Sequence, residues 1–225
     1  MKIYTDGIKN TLDKFLQTLY IIEYMETYTL SQSIKKIYDS GLFFFTTKTL
    51  RDVIGEKKES TFFKFITRLI DDKILLKVEK NKYLLNNSKI NDFELANFLQ
   101  TPSYVSFETA LNYYGVLPQF PYEITSATSK KTNQKKFQDK IFSYIHIDKT
   151  LYWGYNKKDN FLITTVEKAF LDQIYLSSKG FKRISLTEID TSKLKRNVLM
   201  QYIKQFPKTK QFLAMIERVK KFKII

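Results

Sequence analysis

The arrangement of apolar and polar positions over residues 43–85 predicts two helices enclosed by strands. The stretch starts with the apolar run Phe43-Phe44-Phe45, and helical spacing follows on either side of the turn Gly55-Glu56-Lys57-Lys58. Two further apolar runs flank a short basic segment, which indicates a hairpin. In chain order, the predicted elements are a strand at 43–45, helices at 46–54 and 60–72, and strands at 74–78 and 83–85.

The second of these helices has an apolar face and polar outer faces. Its apolar residues recur at the spacing of a face that packs on a core, and Phe63 lies off that stripe. The stripe consists of Phe62, Phe65, Ile66, Leu69 and Ile70. The hydroxyl and cationic side chains on the other faces are Ser60, Thr61, Lys64, Thr67 and Arg68. This order of elements is typical of a winged helix-turn-helix, which lays its second helix in the DNA major groove.

The hairpin predicts a basic wing. Residues 77–83 alternate around a turn in which Asn81 can adopt a positive φ. The predicted DNA contacts come from the inter-helix turn, the second helix and the wing, and they are Lys57, Lys58, Ser60, Thr61, Lys64, Thr67, Arg68, Lys80 and Lys82. Winged helices also serve as protein-interaction modules, and lysine-rich faces are often only solvated. The sequence therefore leaves open a module that binds another protein and not DNA.

The residues before this unit predict two more helices. Apolar residues at 8, 12, 15, 19 and 22 alternate steps of four and three, which indicates a helix over 6–27 that Asp6 can cap. This helix either packs on its own domain or mediates dimerisation. A second helix is predicted from Leu30 to Tyr38, with Gly41 just past its end. The N-terminal helix and the winged unit make up a predicted domain over residues 1–90.

A polar stretch at 86–89 separates this domain from a second one over residues 91–225. There we expect helices at 92–99 and 166–176, and Ser106 capping a helix that runs to Tyr114. Thr164 and Glu167 have the spacing of a capping box. Strands are predicted at 122–129, 140–147, 150–155 and 161–164, a basic loop at Lys130, Lys131, Lys135 and Lys136, and basic helices at 192–205 and 207–221, the last with Pro207 at its first position. The predicted class is α+β, with a mostly antiparallel sheet flanked by helices in the second domain.

The composition and net charge limit the possible classes of function but do not identify one. The 225 residues carry a formal net charge of +15, and such an excess attracts polyanions such as DNA, RNA and acidic membrane surfaces. Lysine is frequent throughout the chain, however, so charge alone is weak evidence for nucleic acid. The absence of cysteine excludes disulfides, cysteine-ligated zinc, iron–sulfur clusters and thiol catalysis. The sequence has no leader pattern and no apolar run of membrane-spanning length, so we expect a cytoplasmic protein.

Two segments of the second domain form a recognisable pair. The first runs from Tyr104 to Leu111 and continues as Tyr114-Gly115-Val116-Leu117-Pro118, and the second is the segment 164–172, which reads TTVEKAFLD. In these two segments the chain resembles the AbiEi antitoxin family of bacterial abortive-infection toxin–antitoxin systems. The resemblance covers about residues 30–180, with both segments in the family's order and spacing. Glu108-Thr109 and Thr165 depart from the family's usual residues. The positions that match its motifs are Ser106, Ala110, Leu111, Tyr114, Gly115, Glu167, Lys168, Ala169 and Asp172.

The resemblance implies a protein with two roles. The winged domain would bind inverted repeats upstream of its own operon and repress transcription, with self-association on the DNA as a further expectation. The C-terminal domain would act as the antitoxin against a neighbouring nucleotidyltransferase toxin, through a functional relationship rather than a stable complex. We therefore expect no catalysis, no cofactor and no metal.

The candidate catalytic residues support no enzyme mechanism. Glu167 and Asp172 are five positions apart and are better explained as a helix-capping acid and a structural bonding partner. His146 is the single histidine, and one histidine cannot form a histidine-based metal site. A metal-dependent nuclease built from scattered carboxylates stays open as the enzyme alternative. A third hypothesis is a protein-binding surface of aromatic residues, formed by Tyr113, Tyr114, Phe120 and Tyr122.

Overall fold

Two separate hydrophobic cores organise the chain, and the structure divides it into two units, Met1–Ser88 and Lys89–Ile225. The structure is a computed structural model, and it describes residues 15–21, 29–55, 58–86, 89–182 and 184–225. Both units mix helices with a sheet. None of the described helices has the length and apolar character needed to cross a membrane.

The N-terminal helix predicted over 6–27 falls mostly outside the described residues. Residues 15–21 are helical, in agreement with the prediction. Of the predicted apolar stripe, Phe15 and Leu19 are among these residues, and both are exposed. The prediction that these residues pack on the core of their own domain receives no support from the described part of the helix.

The first unit has the predicted order of helices and strands. Helix α1 is described over 29–39, and Gly41 follows it with φ 65°, as predicted. The remaining elements are β1 (Phe44–Thr46), α2 (Thr47–Ile54), α3 (Glu59–Asp71), β2 (Leu75–Glu79) and β3 (Lys82–Leu85). The strands form an antiparallel sheet in the order β1-β3-β2, so the hairpin β2–β3 pairs with the strand that precedes the helices.

Local chemistry explains where the helices of this unit begin and end. The Thr46 hydroxyl accepts a hydrogen bond from the backbone N–H of Thr49 at 3.1 Å, which caps α2. Gly55 has φ 99° and ends the same helix by donating its N–H to the Arg51 carbonyl. The fully or almost fully buried side chains of the core come from α1 to α3 and β1 to β3, and they include Ile37, Phe45, Leu50, Phe62, Leu69 and Leu75.

The second unit is built on a six-stranded mixed sheet in the order β6-β7-β5-β4-β9-β8. Neighbouring strands are antiparallel in three pairs (β6–β7, β4–β5, β8–β9) and parallel in two (β5–β7, β4–β9). The strands are β4 (Tyr104–Val105), β5 (Ile124–Thr128), β6 (Asn133–Phe137), β7 (Lys140–His146), β8 (Tyr155–Lys158) and β9 (Phe161–Thr164). The helices are α4 (Asp92–Leu99), α5 (Phe107–Tyr113), α6 (Val166–Ser178), α7 (Arg196–Ile203) and α8 (Lys210–Lys221).

Helix α6 is the centre of this unit. Every residue from 167 to 176 is buried, including the polar and charged ones. The helix packs against α5, α7 and α8. A helix that is buried on all sides has little amphipathic character, which is why the periodicity of this segment could predict a helix without indicating how deeply it is buried.

Two predicted connections of this unit are wrong. The basic loop expected at Lys130–Lys136 is partly strand, because Lys135 and Lys136 belong to β6 and pair with β7. The strand expected over 150–155 is also absent. The Asp148 carboxylate accepts the backbone N–H of Thr150 at 2.8 Å and starts a short 3-10 helix, Lys149–Leu151, so that strand β8 begins only at Tyr155.

The C-terminal helices are shorter than predicted. Residues 191–193 form a 3-10 turn before α7, and the prediction that Pro207 is the first residue of the last helix is wrong. Thr209 caps that helix instead, because its hydroxyl accepts the backbone N–H of Phe212 at 3.2 Å.

Candidate nucleic-acid interface

The outward face of α3 holds most of the residues that the sequence predicted to touch DNA. Phe62, Ile66 and Leu69 are buried in the core of the first unit. The side chains on the opposite faces are all exposed, and they are Ser60, Thr61, Lys64, Thr67 and Arg68. The predicted division of this helix into a core face and an outer face is therefore confirmed, with Phe65 and Ile70 half-buried at its margins.

The cations of this face are available for a new partner. Arg68 lies 3.9 Å from the Asp72 carboxylate, and both side chains are about half exposed, at 51% and 48%. An ion pair of this length and exposure contributes little to stability. The Arg68 guanidinium can therefore leave Asp72 for a phosphate or a guanine edge at small cost.

The hairpin turn is held in a fixed position against the start of α2. Asn81 has φ 61°, as predicted for the wing. Its carbonyl accepts the backbone N–H of Thr47 at 3.1 Å, and its side-chain oxygen accepts the Thr47 hydroxyl at 3.2 Å. The wing is thus anchored to the same helix pair that would contact the DNA.

The lysines predicted to contact DNA differ in exposure and in ion pairing. Lys58 and Lys80 are exposed, whereas Lys82 is half-buried and pairs with Glu79 at 3.1 Å. A phosphate would have to compete with Glu79 for Lys82, so Lys80 is the better placed of the two wing lysines. Lys57 lies outside the described residues.

The family-motif positions of the second unit do not form an exposed site. Lys168 and Asp172 form an ion pair one turn apart on α6, and both side chains are almost completely buried. The Ser106 hydroxyl donates to the other oxygen of Asp172 at 2.9 Å. The charge of Lys168 also lies over the aromatic rings of Trp153, at 4.8 Å, and Phe206, at 5.3 Å. We call Ser106, Lys168 and Asp172 the buried triad.

Burial and pairing act in opposite directions on the charges of the buried triad. Burial lowers the pKa of Lys168 and raises the pKa of Asp172, because a low-dielectric surrounding disfavours both charged forms. The mutual ion pair and the Ser106 hydroxyl oppose these shifts. The three side chains are almost completely buried, so their polar groups bond one another inside the second unit.

Two predicted helix caps are corrected by these contacts. Ser106 occupies the N-cap position of α5, but its hydroxyl donates to Asp172 and caps no backbone N–H, and the Thr109 N–H donates to the Thr125 hydroxyl. The capping box of Thr164 with Glu167 is wrong as well. Thr165 caps α6 by accepting the Lys168 N–H.

The contacts of Glu167 and Thr164 differ from those of a capping box. The Glu167 carboxylate accepts the backbone N–H of Lys195 at 3.1 Å and so ties α6 to the segment before α7. The Thr164 hydroxyl is buried and has no hydrogen-bond partner in the described part of the chain. The prediction that Asp172 is a structural bonding partner is confirmed.

The remaining motif positions also make contacts within the second unit. Ala110, Leu111 and Ala169 lie in the core of the second unit. The Tyr114 hydroxyl donates to the Thr164 carbonyl at 2.7 Å, and Gly115 has φ 72° directly after α5. The motif therefore joins α5, the end of β9 and α6 into one core.

A second polar cluster, which the sequence did not predict, surrounds Glu123. Its carboxylate forms an ion pair with Lys182 and accepts a hydrogen bond from the Ser143 hydroxyl. Lys182 also lies 3.4 Å from Glu108. Partial burial opposes ionisation of Glu123, but the hydrogen bonds from Lys182 and Ser143 outweigh it and lower the pKa of this carboxyl. The members come from separate segments, so no local pattern could have indicated them.

The structure separates the aromatic residues proposed as a protein-binding surface. Phe120 and Tyr122 are 90% and 89% exposed, whereas Tyr113 and Tyr114 pack against the core. His146 lies at the end of β7, where its Nδ1 contacts the Lys130 carbonyl at 3.0 Å. Among the described residues, no three His, Cys, Asp or Glu side chains are grouped as a metal site would require.

In comparisons with known proteins, no family model matches this chain and no curated protein matches it. The likeness to the AbiEi antitoxins therefore remains a prediction from the quoted segments. The fold and the contacts described above stand independently of it.

Proposed function

We propose that this protein is a DNA-binding transcriptional autorepressor and the antitoxin of a bacterial abortive-infection toxin–antitoxin system. Residues 29–86 would act as a winged helix-turn-helix. Helix α3 would enter the major groove of an operator with inverted repeats, and the β2–β3 turn would follow the neighbouring phosphates. Repression of this kind takes place in the cytoplasm and needs no catalysis and no cofactor.

The observation that carries the proposal is the exposed face of α3. Helix α3 buries Phe62, Ile66 and Leu69 and leaves two cations and three hydroxyl side chains exposed, between the exposed acidic residues Glu59 and Asp71 at its ends. Lysine and arginine bind phosphates or guanine, and serine and threonine bind phosphates or base edges. The anchored wing with the exposed Lys80 supplies the second contact that a winged helix uses.

The antitoxin half of the proposal rests on the motif segments alone. The second unit would counteract a nucleotidyltransferase toxin encoded beside it, through a functional relationship rather than a stable complex. The buried triad gives those positions a structural explanation and assigns Ser106, Lys168 and Asp172 no direct role against the toxin.

The direct test of the DNA-binding half compares two duplexes of equal length in a binding assay with the full chain. One duplex is taken from just upstream of the protein's own gene and the other has the same bases in scrambled order. We expect at least about a thousandfold preference for the upstream duplex, the lower end for specific repressors. Equal affinity for both would leave only a basic surface that attracts polyanions.

A protein-binding module is the second candidate function, and one specific observation favours it. Phe120 and Tyr122 are almost fully exposed on a segment that also contains Pro118 and Pro121. Exposed aromatic residues are enriched in protein interfaces. If Phe120→Ala abolished neutralisation of the toxin in cells but left operator binding unchanged, this surface would carry the antitoxin role.

A further inference from the structure

We infer that α3 recognises thymine methyl groups through an apolar patch within its polar face, made of the Phe63 ring and the Thr67 γ-methyl group. We call these two groups the methyl-reading patch. The inference rests on the proposed DNA-binding function and adds the base that the helix prefers. It assigns the operator a thymine-containing contact in each half-site.

Phe63 is the aromatic member of the patch. It is 41% exposed, although the other phenylalanine beside it, Phe62, is fully buried. The two rings meet edge to face, with centroids 5.7 Å apart, so the buried ring supports the exposed one from below. The ring of Phe63 is thereby held on the surface of the helix without being part of the core.

Thr67 follows one turn later on the same side of α3. Its hydroxyl donates to the Phe63 carbonyl at 3.0 Å. This bond uses the donor of the hydroxyl within the helix, so the hydroxyl can only accept a bond from a ligand, and the γ-methyl is the apolar group that Thr67 offers. Residues four positions apart are neighbours on a helix surface, so Thr67 and Phe63 lie side by side on α3.

Two cationic side chains beside the methyl-reading patch would place it against DNA. Lys64 and Arg68 each follow a patch residue directly and are exposed on the same helix. They would bring phosphates or guanine close to the patch. In the major groove, the apolar group that a base pair displays is the C5 methyl of thymine, and phenylalanine and threonine methyl groups are side chains that contact it.

The experiment removes thymine methyl groups one at a time. The preferred duplex is first selected from a random pool with the full chain, and each thymine in it is then replaced by deoxyuridine, which differs only by that methyl. Affinity is expected to fall about fourfold at one or two thymines per half-site, since burying one methyl group is worth about 0.8 kcal/mol. Replacement at the other thymines is expected to change nothing.

Matched variants connect the penalty to the patch. In Phe63→Ala, the deoxyuridine penalty at a contacted thymine is expected to disappear, whereas Phe63→Leu keeps part of it. Phe43→Ala is the control, because Phe43 is in the same unit and has nearly the same exposed fraction, 42%, but lies outside α3. Thr67→Ser removes the methyl and keeps the hydroxyl, and it should reduce the penalty. Thr67→Val keeps a methyl and should preserve the penalty.

The outcomes separate this inference from the proposed function. If the pool yields no preferred duplex, the proposed repressor function is wrong. If a preferred duplex is found but no deoxyuridine weakens binding, the methyl-reading patch does not exist. A penalty that persists in Phe63→Ala and in Thr67→Ser would also overturn the inference, because another part of the protein would then contact the methyl.

Discussion

At the scale of single residues, the surroundings of Lys168 show how one buried charge constrains its neighbours. Lys168 is fully buried, and its side chain fills the space beside Gly154. A Cβ atom at position 154 would lie 3.0 Å from Cγ of Lys168. Gly154 also has φ 73°, a conformation that side-chain-bearing residues rarely adopt. Both features make this glycine difficult to replace.

Gly154→Ala is expected to lower the free energy of unfolding by about 2–4 kcal/mol. About 1–2 kcal/mol comes from the left-handed backbone and the remainder from crowding against Lys168. The control is Gly180→Ala, since Gly180 has φ 83° and no atom within 4 Å of the added Cβ. Urea denaturation should show the larger loss at Gly154. Equal losses for the two variants would mean that Lys168 does not crowd this position.

Lys168→Met tests the buried triad itself. The variant leaves the Asp172 carboxylate buried without its cation, which is expected to cost about 3–5 kcal/mol of the free energy of unfolding. The double variant Lys168→Met with Asp172→Leu removes both charges and should be clearly more stable than the single variant. A thermal denaturation series that ranks the double variant lower would show that the pair does not act as a unit.

At the scale of secondary-structure elements, the first unit could be predicted from sequence because its signals are local. The apolar stripe of α3 has helical spacing, and Gly55 and Asn81 occur where the backbone needs a positive φ. These signals fixed the elements of residues 43–85 to within about two residues at their ends. The exposure of Phe63 was also readable, since it lies off the stripe.

The elements of the second unit were harder to predict because their decisive contacts are distant in sequence. The Ser106 hydroxyl bonds Asp172, 66 positions later, and the Thr109 N–H is satisfied from β5. A local pattern cannot distinguish such a serine from a helix cap. The strand prediction at 150–155 is wrong for the opposite reason. The decisive signal there is local, because the Asp148 side chain accepts the Thr150 N–H and starts a 3-10 turn.

The cluster around Glu123 gives a pH-dependent prediction for the contact between β5, β7 and the segment after α6. Partial burial raises the pKa of Glu123, but hydrogen bonds from Lys182 and Ser143 outweigh burial and hold this pKa below its ordinary value. A carboxyl with a lowered pKa stabilises the folded protein at pH values above its ordinary pKa. This stabilisation is lost as the pH falls through the lowered pKa. Glu123→Gln is therefore expected to be less stable than the wild type at pH 7, with the difference shrinking below about pH 4.

Urea denaturation of both proteins between pH 7 and pH 2.5 measures this difference. Glu217→Gln is the control, since Glu217 pairs with Lys220 on the surface of α8 and should change stability little at pH 7. A Glu123→Gln deficit that stays constant down to pH 2.5 would show that the carboxylate charge is not what stabilises the cluster.

At the scale of the whole molecule, the positive charge is not concentrated where DNA recognition is proposed. Residues 1–88 contain 15 basic and 11 acidic residues, whereas residues 89–225 contain 23 basic and 12 acidic residues. Most of the excess thus belongs to the second unit, where it would strengthen binding to any duplex. Specific recognition must therefore be judged from the contribution of single side chains and from its dependence on salt.

The measurement that tests the central claim most directly is the salt dependence of binding to the upstream duplex by the full chain and three variants. Lys64→Ala and Lys80→Ala are each expected to weaken binding and to lower the slope of log affinity against log salt by about one unit, if each lysine neutralises one phosphate. Lys35→Ala is the control, because Lys35 is exposed on α1 of the same unit. We expect its slope to equal that of the wild type. Equal slopes for all four proteins would contradict the account, because neither α3 nor the wing would then face the DNA.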